Sequence, residues 1–219
     1  MIKIWGRTNS INVQKVLWTL AELDLRFERI DAGMRFGVVE TPGYRAMNPN
    51  ALVPTLEDDG FVLWESNVIV RYLATKHGSG TLCPTDLNQR FAAERWMDWQ
   101  QTSLNPAISP VFFNLIRLPP EKRDMAAVAK HRELAEGWLT ILDDQLAGRE
   151  YVNGNRFSIA DIPAGASASR WYKLPIDRQG RIAKLLRWLR WLDERGAVEK
   201  KPSARPAGRL RRRDGRPTG

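Results

Sequence analysis

The chain has 219 residues, 43% hydrophobic and 27% charged, enough apolar content to fill one large core or two small ones and too much for a disordered chain. No apolar stretch approaches the roughly 18 residues a helical bilayer span requires, which excludes an integral membrane protein of that kind. The net charge of +9 is lopsided: residues 199–219 hold eight of the 34 basic and two of the 25 acidic residues, leaving 26 basic against 23 acidic elsewhere, a balance too even for a nucleic-acid footprint.

Residues 2–5 (IKIW) form a short apolar run, followed by the polar turn GRTNSIN. In VQKVLWTLAEL the recurrence of Val13, Val16, Leu17, Leu20 and Ala21 at spacings of three and four predicts a helix, with Ser10 or Asn12 placed to cap it. RFERID (26–31) alternates as a strand does, so strand, helix and strand predict a parallel pair with a crossover. A loop of about 20 residues follows. LVPTLEDD and GFVLWE (52–65) then read as an antiparallel hairpin, and Ser66 opens a helix striped by Val68, Ile69, Tyr72 and Leu73 that stops at Gly78.

Beyond that point helical periodicity dominates, with helices predicted near 88–117, 121–147, 158–172 and 182–195. The predicted organisation is an α/β unit over 1–78, a linker over 79–88, an all-helical domain over 89–198 and a basic, disordered tail over 199–219. Cys83 is the sole cysteine and the start lacks a secretion-signal apolar run, which predicts a cytoplasmic location. Together with His77 and His131 it supplies too few soft ligands for zinc, and although carboxylates alone could hold magnesium, no metal is expected. There is no phosphate-cradling glycine loop and no Gly-x-Ser-x-Gly elbow, so nucleotide binding and serine hydrolysis lack support.

Four segments carry candidate chemistry. In Leu52-Val53-Pro54-Thr55 a proline heads a strand, where its missing N–H interrupts the ladder. A cis bond would turn the Val53 backbone outward to pair with a peptide-like ligand, while a trans bond is the ordinary state of X-Pro. Glu65 and Ser66 open a helix whose free N–H groups suit a carboxylate, with Glu65 free to pair with an ammonium; a plain N-cap is the alternative. Ser10 and Asn12 stand at the mouth of the first helix, either to stabilise a bound thiolate or simply to cap. Phe157-Ser158-Ile-Ala-Asp161 has the form of a capping box with an apolar staple, a structural feature.

Taken in order, these segments resemble the glutathione transferase superfamily over roughly residues 1–175, most specifically in NPNALVPTLEDDGFVLWESNVIVRYLA and YVNGNRFSIADI. The resemblance implies a thioredoxin-like first domain (βαβ-ββα, mixed sheet) with a cis Val53-Pro54 bond, and an all-α helical bundle as the second domain. It implies that Val53 pairs with the cysteinyl part of glutathione and that Glu65 and Ser66 hold the γ-glutamyl end. The thiol then faces Ser10 and Asn12, with Ser10 slightly favoured. The first tyrosine is Tyr44, too far along for the tyrosine-using classes, and no cysteine is available, which leaves a Ser/Asn type similar to bacterial theta- or nu-like members.

Where some relatives carry a lysine for the glycyl carboxylate this chain has Leu52, and Arg35 is the candidate substitute. Trp96, Trp99, Phe112 and Phe113 are candidates for a hydrophobic second-substrate pocket. The implied activity is conjugation of the glutathione thiolate to a small hydrophobic electrophile, as in detoxification, by a homodimer with glutathione as co-substrate, no permanent cofactor, and no membrane or nucleic-acid partner. Glutathione-dependent disulfide reduction and a non-catalytic binding module are the alternatives. The sequence after about residue 178 departs from that of relatives.

Overall fold

The computed structural model describes residues 1–178 and 182–194. Strand β1 (Ile2–Trp5) turns Ile2 and Ile4 into the core, and helix α1 (Ile11–Glu22) crosses over to β2 (Phe27–Ile30), parallel to β1. Strands β3 (Thr55–Asp58) and β4 (Phe61–Trp64) form the hairpin. Its two-residue turn is Asp59-Gly60, with φ of 50° and 88°, the double positive φ that matches the twist of paired strands. Helix α3 (Ser66–His77) completes a βαβ-ββα unit whose mixed sheet runs β2-β1-β3-β4. This is the thioredoxin-like arrangement, with Ile2, Ile4, Val16, Leu20, Leu56, Ile69 and Leu73 as its core.

The segment read as a 20-residue loop is more ordered than that. It contains a 3-10 turn at Met34–Phe36 and helix α2 (Pro42–Met47). Pro42 follows a Thr41 N-cap whose side chain accepts the Tyr44 N–H, a strong local start that apolar periodicity misses in so short a helix.

The second region is helical. The rod predicted over 88–117 is α4 (Leu87–Trp99) and α5 (Asn105–Phe112), each continued by a π-helical segment, Gln100–Leu104 and Phe113–Arg117. Pro110 brings no N–H to the ladder, and its carbonyl is taken by Asn114 Nδ2 at 3.0 Å. Helix α6 (Met125–Gln145) starts at an Asp124 cap, four residues later than the periodicity suggested. Helix α7 (Asp161–Tyr172) begins where the Ser158 box ends, and α8 (Ala183–Glu194) buries Leu185, Trp188, Leu189 and Leu192. The proposed basic tail over 199–219 lies outside the described residues.

Helix α1 joins the two regions. It buries Ile11, Val13, Lys15, Val16, Trp18, Thr19 and Leu20, too many directions for a surface helix with one stripe. Trp18 belongs to the helical-region core, where its ring lies 5.7 Å from that of Phe157. Among the described residues no helix is long and apolar enough to cross a membrane.

Candidate active site

Strand register gathers the candidate residues. Ile30, Trp5, Thr55 and Trp64 stand side by side across β2, β1, β3 and β4. The segments beyond that row therefore leave the sheet at one edge: Asp31 onward, Gly6 to Ser10, Val53-Pro54, and Glu65-Ser66. The N-termini of α1 and α3 open at the same edge, so two positive dipole ends face the same space.

Ser10 is the N-cap residue of α1, yet its side chain makes no capping hydrogen bond. Its N–H donates to the Arg7 carbonyl at 3.2 Å. Asn12 is the second residue of the helix rather than a residue upstream of it. Among the described residues neither side chain has a hydrogen-bond partner, so both polar heads are unspent where a helix N-terminus favours an anion.

The Val53-Pro54 peptide bond is cis. Just before it, the Leu52 carbonyl is fixed by Tyr44 Oη at 2.7 Å and by Asn48 Nδ2 at 2.9 Å, and both donors also reach Thr55 Oγ1. Helix α2 thereby clamps the segment from beneath. The Val53 N–H and C=O enter no hydrogen bond among the described residues.

Glu65 caps α3 with φ of 70°, a left-handed conformation that a non-glycine residue adopts at a cost of about 1–3 kcal/mol and that concentrates at ligand sites. Glu65 is exposed, and among the described residues its carboxylate meets only Gln101 Nε2, at 3.4 Å. Ser66 is the first residue of α3 and is buried.

Beneath Ser66 lies a group that sequence reasoning missed. Lys15 is 2% exposed, and its Nζ donates to Ser66 Oγ at 3.2 Å, Asn67 Oδ1 at 3.1 Å and Gln100 Oε1 at 3.3 Å. Burial pushes its ammonium pKa down to about 7, Glu65 opposing and Arg170 adding to the shift. Gln100 Nε2 continues to Ser167 Oγ at 2.7 Å, and Asn67 Nδ2 reaches the Met97 carbonyl at 2.8 Å. The network ties α1 and α3 to the helical region. Its only signal in the sequence was a lysine flanked by Ile11 and Trp18, a second apolar face on a helix that already had one.

The other candidates sit as follows. Arg35 lies on the exposed 3-10 turn after β2, its guanidinium 4.7 Å from the centroid of the Phe36 ring. Leu52 is exposed. Trp96 is buried in the helical core and meets Trp99 edge-on at 5.0 Å, which in turn meets Trp138 at 6.4 Å. Phe113 is 55% exposed. Phe112 is half-buried, with the guanidiniums of Arg117 and Arg170 at 5.5 and 4.2 Å from its ring centroid. The structure thus brings Ser10, Asn12, Val53, Pro54, Glu65 and Ser66 to one end of the sheet, with Arg35 on the exposed turn of the segment that leaves β2 there, while Trp96 and Trp99 pack among the helices.

Residues 1–75 match the profile of the glutathione S-transferase N-terminal domain. Glutathione S-transferase GstB of Escherichia coli K12 is 41% identical over 202 residues, covering 91% of this chain and 97% of the relative. The chain belongs to the glutathione S-transferase superfamily. Glutathione S-transferase 3 of Zea mays is 33% identical over 178 residues, covering 76% of this chain and 79% of the relative. Among solved structures, the theta-class glutathione S-transferase of Xanthomonas axonopodis pv. citri with glutathione bound superposes with a TM-score of 0.86 at 40% identity, covering 90% of this chain and 94% of that one. Its apo form gives 0.77. As a glutathione transferase, the chain has its thioredoxin-like unit followed by the helical region that these relatives share.

Proposed function

We propose that this protein binds glutathione along the sheet edge and conjugates its thiolate to a small hydrophobic electrophile. The observation that carries the reading is the convergence of unspent polar groups at that edge: the Ser10 hydroxyl, the Val53 main chain, the Glu65 carboxylate and the first N–H groups of α3. Set at the same end of the sheet, they match a tripeptide with an ammonium and carboxylate at one end and a thiol in the middle.

In this reading the γ-glutamyl carboxylate takes the α3 N–H groups and the Ser66 hydroxyl. Lys15 donates to Ser66 Oγ, which leaves the Ser66 O–H free to donate outward. Glu65 pairs with the glutamyl ammonium. The Val53 N–H and C=O pair with the cysteinyl residue beside Pro54, and Arg35 takes the glycyl carboxylate. The sulfur then lies at the mouth of α1, where the Ser10 hydroxyl, the Asn12 amide and the helix dipole stabilise the thiolate and lower its pKa. The thiolate attacks an electrophile held from the helical side by Phe112, with exposed Phe113 proposed to extend the apolar wall, while Trp96 and Trp99 support it from within the helical core.

We also propose a homodimer, supported by exposed Phe61 on β4, Val68 on α3 and Phe91 on α4, apolar groups that a soluble monomer leaves uncovered. Sedimentation gives the mass directly. The function itself is tested by isothermal titration with glutathione and turnover of 1-chloro-2,4-dinitrobenzene. Micromolar to millimolar binding with turnover is the expected result, and absence of glutathione binding removes the reading.

A further inference from the structure

Three guanidinium groups bear on one another near the site, Arg7 from the thioredoxin-like unit and Arg117 and Arg170 from the helical region. Arg7 lies in the turn before α1, and its Nη1 is 3.0 Å from where a Cβ on Gly33 would stand, with Val53 Cγ1 3.4 Å from that same point. Arg117 and Arg170 flank the Phe112 ring at the distances given above. The three are close enough to repel one another. Burial and then Arg117 lower the Arg7 pKa, and burial, Arg117 and Arg7 push Arg170 down to about 10.

Among the described residues no carboxylate relieves this repulsion. Among the described residues Arg7, Arg117 and Arg170 form no ion pair and no side-chain hydrogen bond, and Arg7 Nε is buried without a partner. Elsewhere the chain pairs its buried-edge arginines readily, as Arg71 does with Glu94 and Asp98. Unpaired cations in partial burial are unfavourable unless a ligand supplies the opposite charge. Arginine is suited to that ligand, since its planar fork matches a carboxylate.

We propose that Arg7, Arg117 and Arg170 form an anion subsite for the second substrate, so that the preferred electrophile is a small organic acid lying on Phe112 with its carboxylate among the guanidiniums. This rests on the transferase reading above. The glutamyl end of glutathione is already served by Ser66 and Lys15, and Arg117, Arg170 and Phe112 come from the helical region, whereas the Val53 main chain belongs to the thioredoxin-like unit. With an aryl chloride the chemistry is substitution: the glutathione sulfur forms a bond to the ring carbon, chloride leaves with the C–Cl electron pair, and the thiol proton passes to solvent.

The test compares 4-chloro-3-nitrobenzoate with 4-chloro-3-nitrobenzamide at saturating glutathione, each kcat/KM divided by its own uncatalysed rate. The two share the leaving group and differ in charge, and glutathione with its glycyl carboxylate is common to both, so the ratio reports on the electrophile's carboxylate alone. The expected acid preference is about tenfold or more, the scale of one charge-assisted contact. Arg117→Gln and Arg7→Gln should each bring the ratio towards one, and Arg117→Lys, which keeps the charge, should restore part of it. A ratio at or below one, or one unmoved by both Gln variants, overturns the subsite. If those variants weaken glutathione binding and leave the ratio alone, the guanidiniums serve glutathione and the proposal fails. If neither aryl chloride turns over, the transferase reading is at fault, and calorimetric titration with the benzoate decides the subsite: binding weakened in Arg117→Gln supports it, and no binding ends it.

Discussion

Lys15 Nζ stands 3.2 Å from Ser66 Oγ, an ammonium from α1 placed directly beneath the first residue of α3. Among the described residues the lysine has no carboxylate within hydrogen-bonding distance, only the neutral oxygens of Ser66, Asn67 and Gln100. Its charge is therefore costly in the empty protein and useful once an anion arrives.

The stability consequence has a definite sign. The folded-state pKa is about 7 against 10.5 for a solvated lysine, so between those values the unfolded chain binds the extra proton and folding gains as pH rises. Below about pH 7 both states are protonated and the penalty is fully present. Chemical denaturation of wild type and Lys15→Met from pH 6.5 to 9.5 should show a difference that narrows as pH rises, with the variant relatively favoured at the acid end. A difference independent of pH would refute the shift.

An arriving carboxylate should recharge this lysine. S-methylglutathione, which lacks a titrating thiol, is expected to take up part of a proton on binding at pH 8, seen as buffer-dependent calorimetric enthalpies. Its affinity should weaken between pH 7 and 8.5, and Lys15→Met should abolish both effects. Proton uptake of the same size in the variant would place its source elsewhere.

The unspent Ser10 hydroxyl makes a kinetic prediction. Ser10→Ala should raise the pKa of the bound thiol, read by ultraviolet absorbance of the thiolate, and lower kcat/KM by roughly 10–100-fold, the worth of a hydrogen bond to a charged group. Ser10→Thr should retain most of the activity. Asn12→Ala should have the smaller effect, and unchanged rates in both alanine variants would remove the two roles.

Asp161 is predicted to matter for folding. It is fully buried, with Oδ1 accepting from Val152 N–H at 2.9 Å and Trp188 Nε1 at 3.1 Å, and Oδ2 accepting from Ser158 N–H at 2.9 Å and Ser158 Oγ at 3.3 Å. Asp161→Asn would turn an NH2 towards donors and cost about 3 kcal/mol of stability in urea unfolding, while a variant that folds keeps its glutathione affinity. Burial raises the carboxyl pKa to about 6 from 3.8, so the group's contribution to stability grows as pH falls from 6 towards 4, and the penalty of the variant should change across that window.

Gly165 tests the seam between the regions. A Cβ there would stand 2.7 Å from Leu192 Cδ1 and 3.1 Å from Trp18 Cη2, so Gly165→Ala should destabilise by about 1–3 kcal/mol through overpacking. Trp18→Phe in the same background should recover part of the loss in thermal unfolding.

Much of the first domain was legible because its signals are local. Asp59-Gly60 announces the hairpin, the alternation in RFERID announces a strand, and Phe157 to Asp161 announces a helix start. The Ser158 box reads as structural in the sequence, and the chain uses it so, with Asp161 also accepting from Trp188 far along the chain. Helix α2 was missed because six residues are too few to show a period, and its signal was the Thr41-Pro42 start.

Sequence by itself determined the strands, the hairpin and most of the helices, and it supplied the polar residues at their ends, because capping and periodicity act within a few neighbours along the chain. It could not determine that Lys15 is buried, that Gln100 reaches back to it, or that Arg117 and Arg170 flank Phe112 with the charge of Arg7 bearing on Arg170. Those are decided by packing α1 and α3 against the helical region, where desolvation and through-space charge depend on groups about 85 to 160 residues apart in sequence.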